Sequence, residues 1–160
     1  MSNSSENGNL KFIDVNLILL TFFIAYSAFE GWREAIYWYV KIGSRFYDWF
    51  PKVEEHIIFA TQRAIVLLMG GLLLFFTGMS WWLTLISVIG CALTFSFIHN
   101  GFMYLTRNNL DPTIYHKRFW DQSTSSVAKT TKFMTPISRT IQFVLGVLLN
   151  IGVFIAYYLI

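Results

Sequence analysis

The chain has 160 residues, 55% of them hydrophobic and only 13% charged, with a formal net charge of +3. Soluble domains usually carry about 25% charged residues, so a free-standing soluble fold is excluded and a lipid environment is indicated. The basic residues cluster beside apolar segments instead of along one soluble face, which excludes a nucleic-acid footprint and fits membrane topology and anionic lipid.

Residues 1–9 are polar and lack the basic stretch of a cleavable signal peptide, so the first apolar segment is expected to remain as a span. Apolar residues run from 12 to 42 without a Pro or a Gly pair, and Tyr37-Trp38-Tyr39 reads as an interfacial aromatic belt. Gly43-Ser44 breaks this helix, and residues 45–50, with Phe46, Trp49 and Phe50 beside Arg45 and Asp48, predict a short amphipathic interfacial segment. Pro51 then opens a second span over 53–77, with Glu54 and Glu55 favourably placed near its start. Gly78-Met79-Ser80 makes a tight turn into a third span over 81–105, so these two form an antiparallel hairpin. Residues 106–135 read as a loop whose Tyr115, Phe119, Trp120 and Phe133 are too aromatic for a free linker. Pro136 begins the last span, 136–160.

Each segment is long enough to cross a hydrocarbon core of about 30 Å at ~1.5 Å per residue. The expected fold is all-α, a polytopic membrane protein with one domain of four transmembrane helices, the interfacial segment and the aromatic loop. Threading the spans alternately leaves Lys11 on one face and the other eleven Lys and Arg residues toward the opposite one. The positive-inside rule makes that face cytoplasmic, with both termini outside. Cys91, the single cysteine, forms neither an internal disulfide nor a CxxC motif, and reads as a small packing residue.

Depth counting brings polar residues of all four spans to one level, just inside the cytoplasmic interface. Glu30 and His99 each lie about 27 Å along their helices from the outer end. Gln62 and Arg63 on the second span, and Arg139 and Gln142 on the fourth, reach the same level. Glu30, Arg33 and Glu34 share one helix face at i, i+3 and i+4, which Tyr26 and Tyr37 extend; His99, Met103 and Tyr104 share another, with Asn100 and Arg107 beside them. The outer two thirds carries little polarity beyond Asn16 and Asn150. Ionisable groups at such depth face the bundle and pair. Arg63 is expected to pair with Glu30 or Glu34, Arg107 or Arg139 with the second carboxylate, and His99 and Asn100 to bond to Gln62. One account is structural, a network that fixes helix order; the other is a ligand pocket formed by Glu30, Arg33, Glu34, Gln62, Arg63, His99, Asn100, Tyr104, Arg107 and Arg139.

Known chemical signatures are sparse. Glu-x-x-His and His-Glu-x-x-His are absent, as is a Gly-x-Ser-x-Gly elbow. A metal held by Glu34, His56 and His99 is the one constellation of ligand type. The apolar outer halves do not line a pore, and no internal repeat or broken helix suggests a transporter. The expectation is a pocket for a lipid-like or anionic ligand, or a subunit assembling with a copy of itself or another membrane protein. The alternative is a membrane-embedded enzyme working through Glu30, Glu34 and His99, with or without a metal. The sequence names no cofactor.

Overall fold

A computed structural model describes residues 6–42, 52–113, 116–121 and 135–159, with side chains described for 15–37, 58–113, 116–121 and 135–157. These residues form four helices: α1 (Glu6–Ile42), α2 (Lys52–Phe76), α3 (Trp81–Leu110) and α4 (Pro136–Leu159). All four are long and apolar enough to cross a membrane, and no strand occurs among the described residues. The chain is therefore an all-helical integral membrane bundle.

Local chemistry explains where the helices end. Gly78 adopts a φ of 96°, a left-handed conformation that side chains resist, and lets the Gly78 and Met79 amides bond the Phe75 and Leu74 carbonyls. Thr135 caps α4 by accepting the Ser138 amide at 3.1 Å, with Pro136 at the first helical position. Two boundaries differ from expectation. α1 begins by Glu6, with an acidic residue suited to a helix N-terminus, instead of at 12. α3 continues five residues past 105, because Asn108-Asn109 does not break it; it stops at Asp111, whose amide closes on the Arg107 carbonyl ahead of Pro112. The interfacial segment 45–50 lies outside the described residues.

Lipid is as apolar as the spans, so burying Leu or Phe gives little drive for helices to associate; close packing and interhelical hydrogen bonds must do it. Ser27, Gly31 and Ala35, four apart, lie buried along α1, and Gly31 rests on the α3 backbone at His99 and Met103. Gly90 and Gly146 bring α3 against α4. Gly152, by contrast, has nothing within 4 Å of where a Cβ would stand. Deeper in the bundle Ser87 Oγ lies 2.9 Å from Asn16 Oδ1 and 2.8 Å from Asn150 Oδ1, and Asn150 Nδ2 donates to the Gly146 carbonyl at 2.9 Å. This knot joins α1, α3 and α4. Beyond it, toward the α2–α3 turn, Leu74, Met79, Leu83 and Val153 form an apolar cluster. α2 packs mainly on α3, touches α1 lightly, and leaves Ile58, Ile65, Leu68, Met69, Leu73, Phe75 and Phe76 exposed.

At the other end, part of the expected loop is tied down as a strap. The Asn108 side chain bonds the Lys117 backbone in both directions, and Phe119 packs edge-on to Phe97 and Phe102 over the space left by Gly101. Arg139 holds the strap from the other side by donating to the Asp121 carbonyl. Tyr115, Phe133 and the Ser/Thr tract at 123–126 lie outside the described residues.

Candidate functional site

Three helices build the polar layer. α1 brings Glu30 and Glu34 one turn apart, which puts both carboxyls on the face turned toward α2 and α3. Glu30 is 2% exposed overall and accepts from Arg33 Nη2 at 2.8 Å and from Gln62 Nε2 at 3.4 Å. Glu34 Oε2 lies 2.9 Å from His99 Nε2 and 3.4 Å from Arg63 Nη2. The same Arg63 Nη2 stands 3.2 Å from His99 Nε2. One carboxylate oxygen, one ring nitrogen and one guanidinium nitrogen thus meet at a point.

Phe95, one turn before His99 on α3, is the platform beneath them. Its ring stacks on the His99 imidazole at 4.8 Å between centroids, and the Arg63 guanidinium carbon lies 4.5 Å from its centroid. His99 Nδ1 is 3.0 Å from Asn100 Oδ1. Both ring nitrogens thus have a polar neighbour, Nδ1 the Asn100 amide and Nε2 the Glu34 carboxylate and Arg63. Among the described residues three shielded polar atoms at this depth make no hydrogen bond: Arg139 Nε on α4 and, beside the meeting point, Arg63 Nε and Tyr26 Oη, whose polar neighbour is Gln62. Tyr26 stands one turn before Glu30 on α1.

The remaining expected members sit apart from this meeting point. Tyr104 is buried with Ala35 and Met103 in the α1–α3 seam. Arg107 is half-buried, within electrostatic reach of Glu34. Arg139 does not pair with a carboxylate of the layer. It is 0% exposed and lies across α3, its Nη2 donating to the Ser96 and Phe97 carbonyls at 3.0 and 3.3 Å and its Nη1 to Asp121. Glu30 is served by Arg33, three residues away on the same helix, and not by Arg139, while Arg107 acts on Glu34. Gln62 likewise bonds to Glu30 instead of His99 or Asn100, which engage each other. Of the metal constellation, Glu34 and His99 come together and the His56 side chain lies outside those described; among the described residues no three His, Cys, Asp or Glu side chains cluster.

The sequence alone does not single out Phe95, whose role follows only from the i, i+4 relation to His99 once the facing helix is known. The small-residue seam was visible in principle as Ser27-x-x-x-Gly31-x-x-x-Ala35, a spacing that permits close helix approach.

Fold and layer together define an integral membrane four-helix bundle with ionisable groups buried between α1, α2 and α3. No protein-family model matches the sequence, and neither a curated protein nor a solved structure does. Its function is argued from the layer itself.

Proposed function

We propose that this protein binds a lipid-like amphiphile whose polar headgroup enters the layer between α1 and α2 and accepts hydrogen bonds from Arg63 and Tyr26. The single observation that carries this reading is the pair of shielded donors without a hydrogen bond, Tyr26 Oη and Arg63 Nε, beside Glu30 oxygens and a Glu34 Oε2 that are already engaged. A buried donor left unmade costs about 1–3 kcal/mol, and a headgroup oxygen would relieve it. The ligand's tail lies in the lipid along the exposed apolar flank of α2. The crowding of Arg107, Lys117, Arg118 and Arg139 at this end of the bundle supports assigning it to the cytoplasmic leaflet, with both termini outside.

Native mass spectrometry of the full chain in mild detergent tests the reading. The wild-type chain retains a co-purifying lipid. Arg63→Gln loses it by about 10–100-fold, as the loss of a charge-assisted hydrogen bond predicts, and Tyr26→Phe loses it by several-fold. Equal retention by all three chains, or no retained lipid, sinks the proposal. A bound lipid that is chemically altered over time by the wild type but not by His99→Gln would instead favour the enzyme reading built on Glu34 and His99.

A further inference from the structure

We infer that the strap is a docking site for an anionic phospholipid of the leaflet at this end, its phosphodiester held by Arg118 and Lys117 beside the Trp120 ring. This site is separate from the polar layer and stands whether or not an amphiphile enters between α1 and α2.

Depth along α3 starts the argument. Trp81 and Trp82, 69% and 39% exposed, mark one membrane boundary at the start of the helix. At ~1.5 Å per residue Gly101 lies about 30 Å farther on, where a hydrocarbon core of that thickness ends. Asn108 lies about 40 Å from Trp81, near the outer edge of the headgroup zone. The strap is pinned at both levels. Its Lys117 backbone is bonded to the Asn108 side chain, and its Phe119 ring packs on Phe97 and Phe102 over Gly101. Arg118, between the two pins, is thereby held among the headgroups.

A closed turn decides which side chains face outward. The Asp121 amide bonds the Arg118 carbonyl at 3.0 Å, and Asp121 Oδ2 accepts the Arg118 amide at 2.8 Å. Phe119 then faces the bundle while Trp120 stays 51% exposed, with the Arg118 guanidinium carbon 6.0 Å from its ring centroid. The Arg118 side chain is 74% exposed, and its Nε stands 3.8 Å from Asp121 Oδ1, too far for a hydrogen bond. Lys117 is exposed beside it. The surrounding charges set the partner's sign. Lys117 and Arg118 outnumber Asp121 on the strap, and the end of α3 adds one charge of each sign, Arg107 and Asp111. Arg139 on α4 is turned onto carbonyl groups of the strap and of α3. A guanidinium grips two phosphate oxygens at once, and an indole favours the level where acyl chains meet headgroups. A phospholipid offers both at this depth; an acidic soluble protein offers the anion alone.

The test places the full chain in nanodiscs of phosphatidylcholine holding a graded fraction of phosphatidylglycerol. One lipid or the other is brominated high on its acyl chains, where it quenches a neighbouring tryptophan. Trp120 emission is isolated as the difference between each chain and the same chain carrying Trp120→Phe. In the wild type, brominated phosphatidylglycerol quenches Trp120 at a membrane fraction about five- to twentyfold lower than brominated phosphatidylcholine, the effect of one to two basic residues near an anionic surface. The double variant Lys117→Gln, Arg118→Gln, changed only at exposed positions, is quenched equally by the two lipids. Arg63→Gln keeps the wild-type preference, because the polar layer is a different site. Absence of Trp120 quenching by either lipid puts the strap outside the membrane and overturns the proposal. Equal quenching of the wild type by both lipids overturns it too. So does a preference that survives the double variant or disappears in Arg63→Gln.

Discussion

Gly31→Ala is the most direct perturbation of the frame that positions the layer. A Cβ at residue 31 overlaps the His99 carbonyl oxygen and stands 3.0 Å from the His99 carbonyl carbon and 3.1 Å from the Met103 nitrogen. All three are backbone atoms of a helix, so no side-chain rotation relieves the contact. Ordinary packing needs separations of about 3.5–4.0 Å, which means α1 and α3 must part by roughly 1 Å or more. Overpacking of this kind costs about 1–3 kcal/mol, offset by at most about 1 kcal/mol of helix propensity gained in replacing glycine. The expected net loss is about 1–2 kcal/mol in reversible unfolding from mixed micelles. A second consequence is local. Moving the helices apart by ~1 Å stretches the 2.9 Å Glu34–His99 contact beyond hydrogen-bond range. The ring should then lose its fixed orientation, which histidine NMR signals report. Gly152→Ala is the control, because nothing lies within 4 Å of the added methyl; it should be neutral or slightly stabilising. Equal stability of the two variants would refute the close-contact reasoning.

Three further outcomes follow from the packing. Arg139→Met removes the guanidinium that ties α3 and the strap to α4, and should cost about 2–4 kcal/mol while speeding tryptic cleavage after the exposed Lys117 and Arg118; unchanged cleavage would show that the strap holds without it. Ser87→Ala deletes the hydroxyl shared by Asn16 and Asn150 and should cost about 1 kcal/mol, within the range of interhelical polar contacts in lipid. A double-mutant cycle with Asn150→Ala should then be non-additive, and additive losses would argue against a single knot. Cys91 is buried against Asn150, so maleimide should label it only after unfolding; fast labelling of the native protein would contradict the seam between α3 and α4.

The four helices were legible because their apolar runs exceed the length needed to cross a bilayer, a signal that does not depend on tertiary contacts. The layer was legible as a depth. Glu30, Gln62, Arg63 and His99 converge because helical rise fixes their level once the spans alternate. The pairing of Arg63 with an α1 carboxylate was legible from depth and charge, but the other partners were not, because pairing depends on the rotation of each helix about its axis, which depth leaves open. Arg139 illustrates the difference: it reaches the right level but lies across α3, held by carbonyl groups that belong to any helix and leave no mark in sequence. Asn16 and Asn150 stood out as lone polar residues, yet their union through Ser87 requires knowing that α1 and α4 meet α3 on adjoining faces. The end of α3 was misplaced because Asn108 and Asn109 commonly favour loops; here the Asn108 amide bonds the strap from within the helix.

The loose seat of α2 has a mechanical consequence. α1, α3 and α4 are joined by the Ser87 knot and by glycine contacts, so parting them breaks both hydrogen bonds and close packing. α2 shows a mostly apolar surface to lipid, and lipid can solvate its inner side almost as well as its outer one, so peeling it away exposes nothing water would punish. What resists the peel is the seat of Gly70, Gly71 and Leu74 on α1 and α3 together with the bonds of Gln62 and Arg63 to Glu30, Glu34 and His99. The bundle thus resembles a three-helix post with a fourth helix seated against it by packing along its length and latched by polar bonds toward one end.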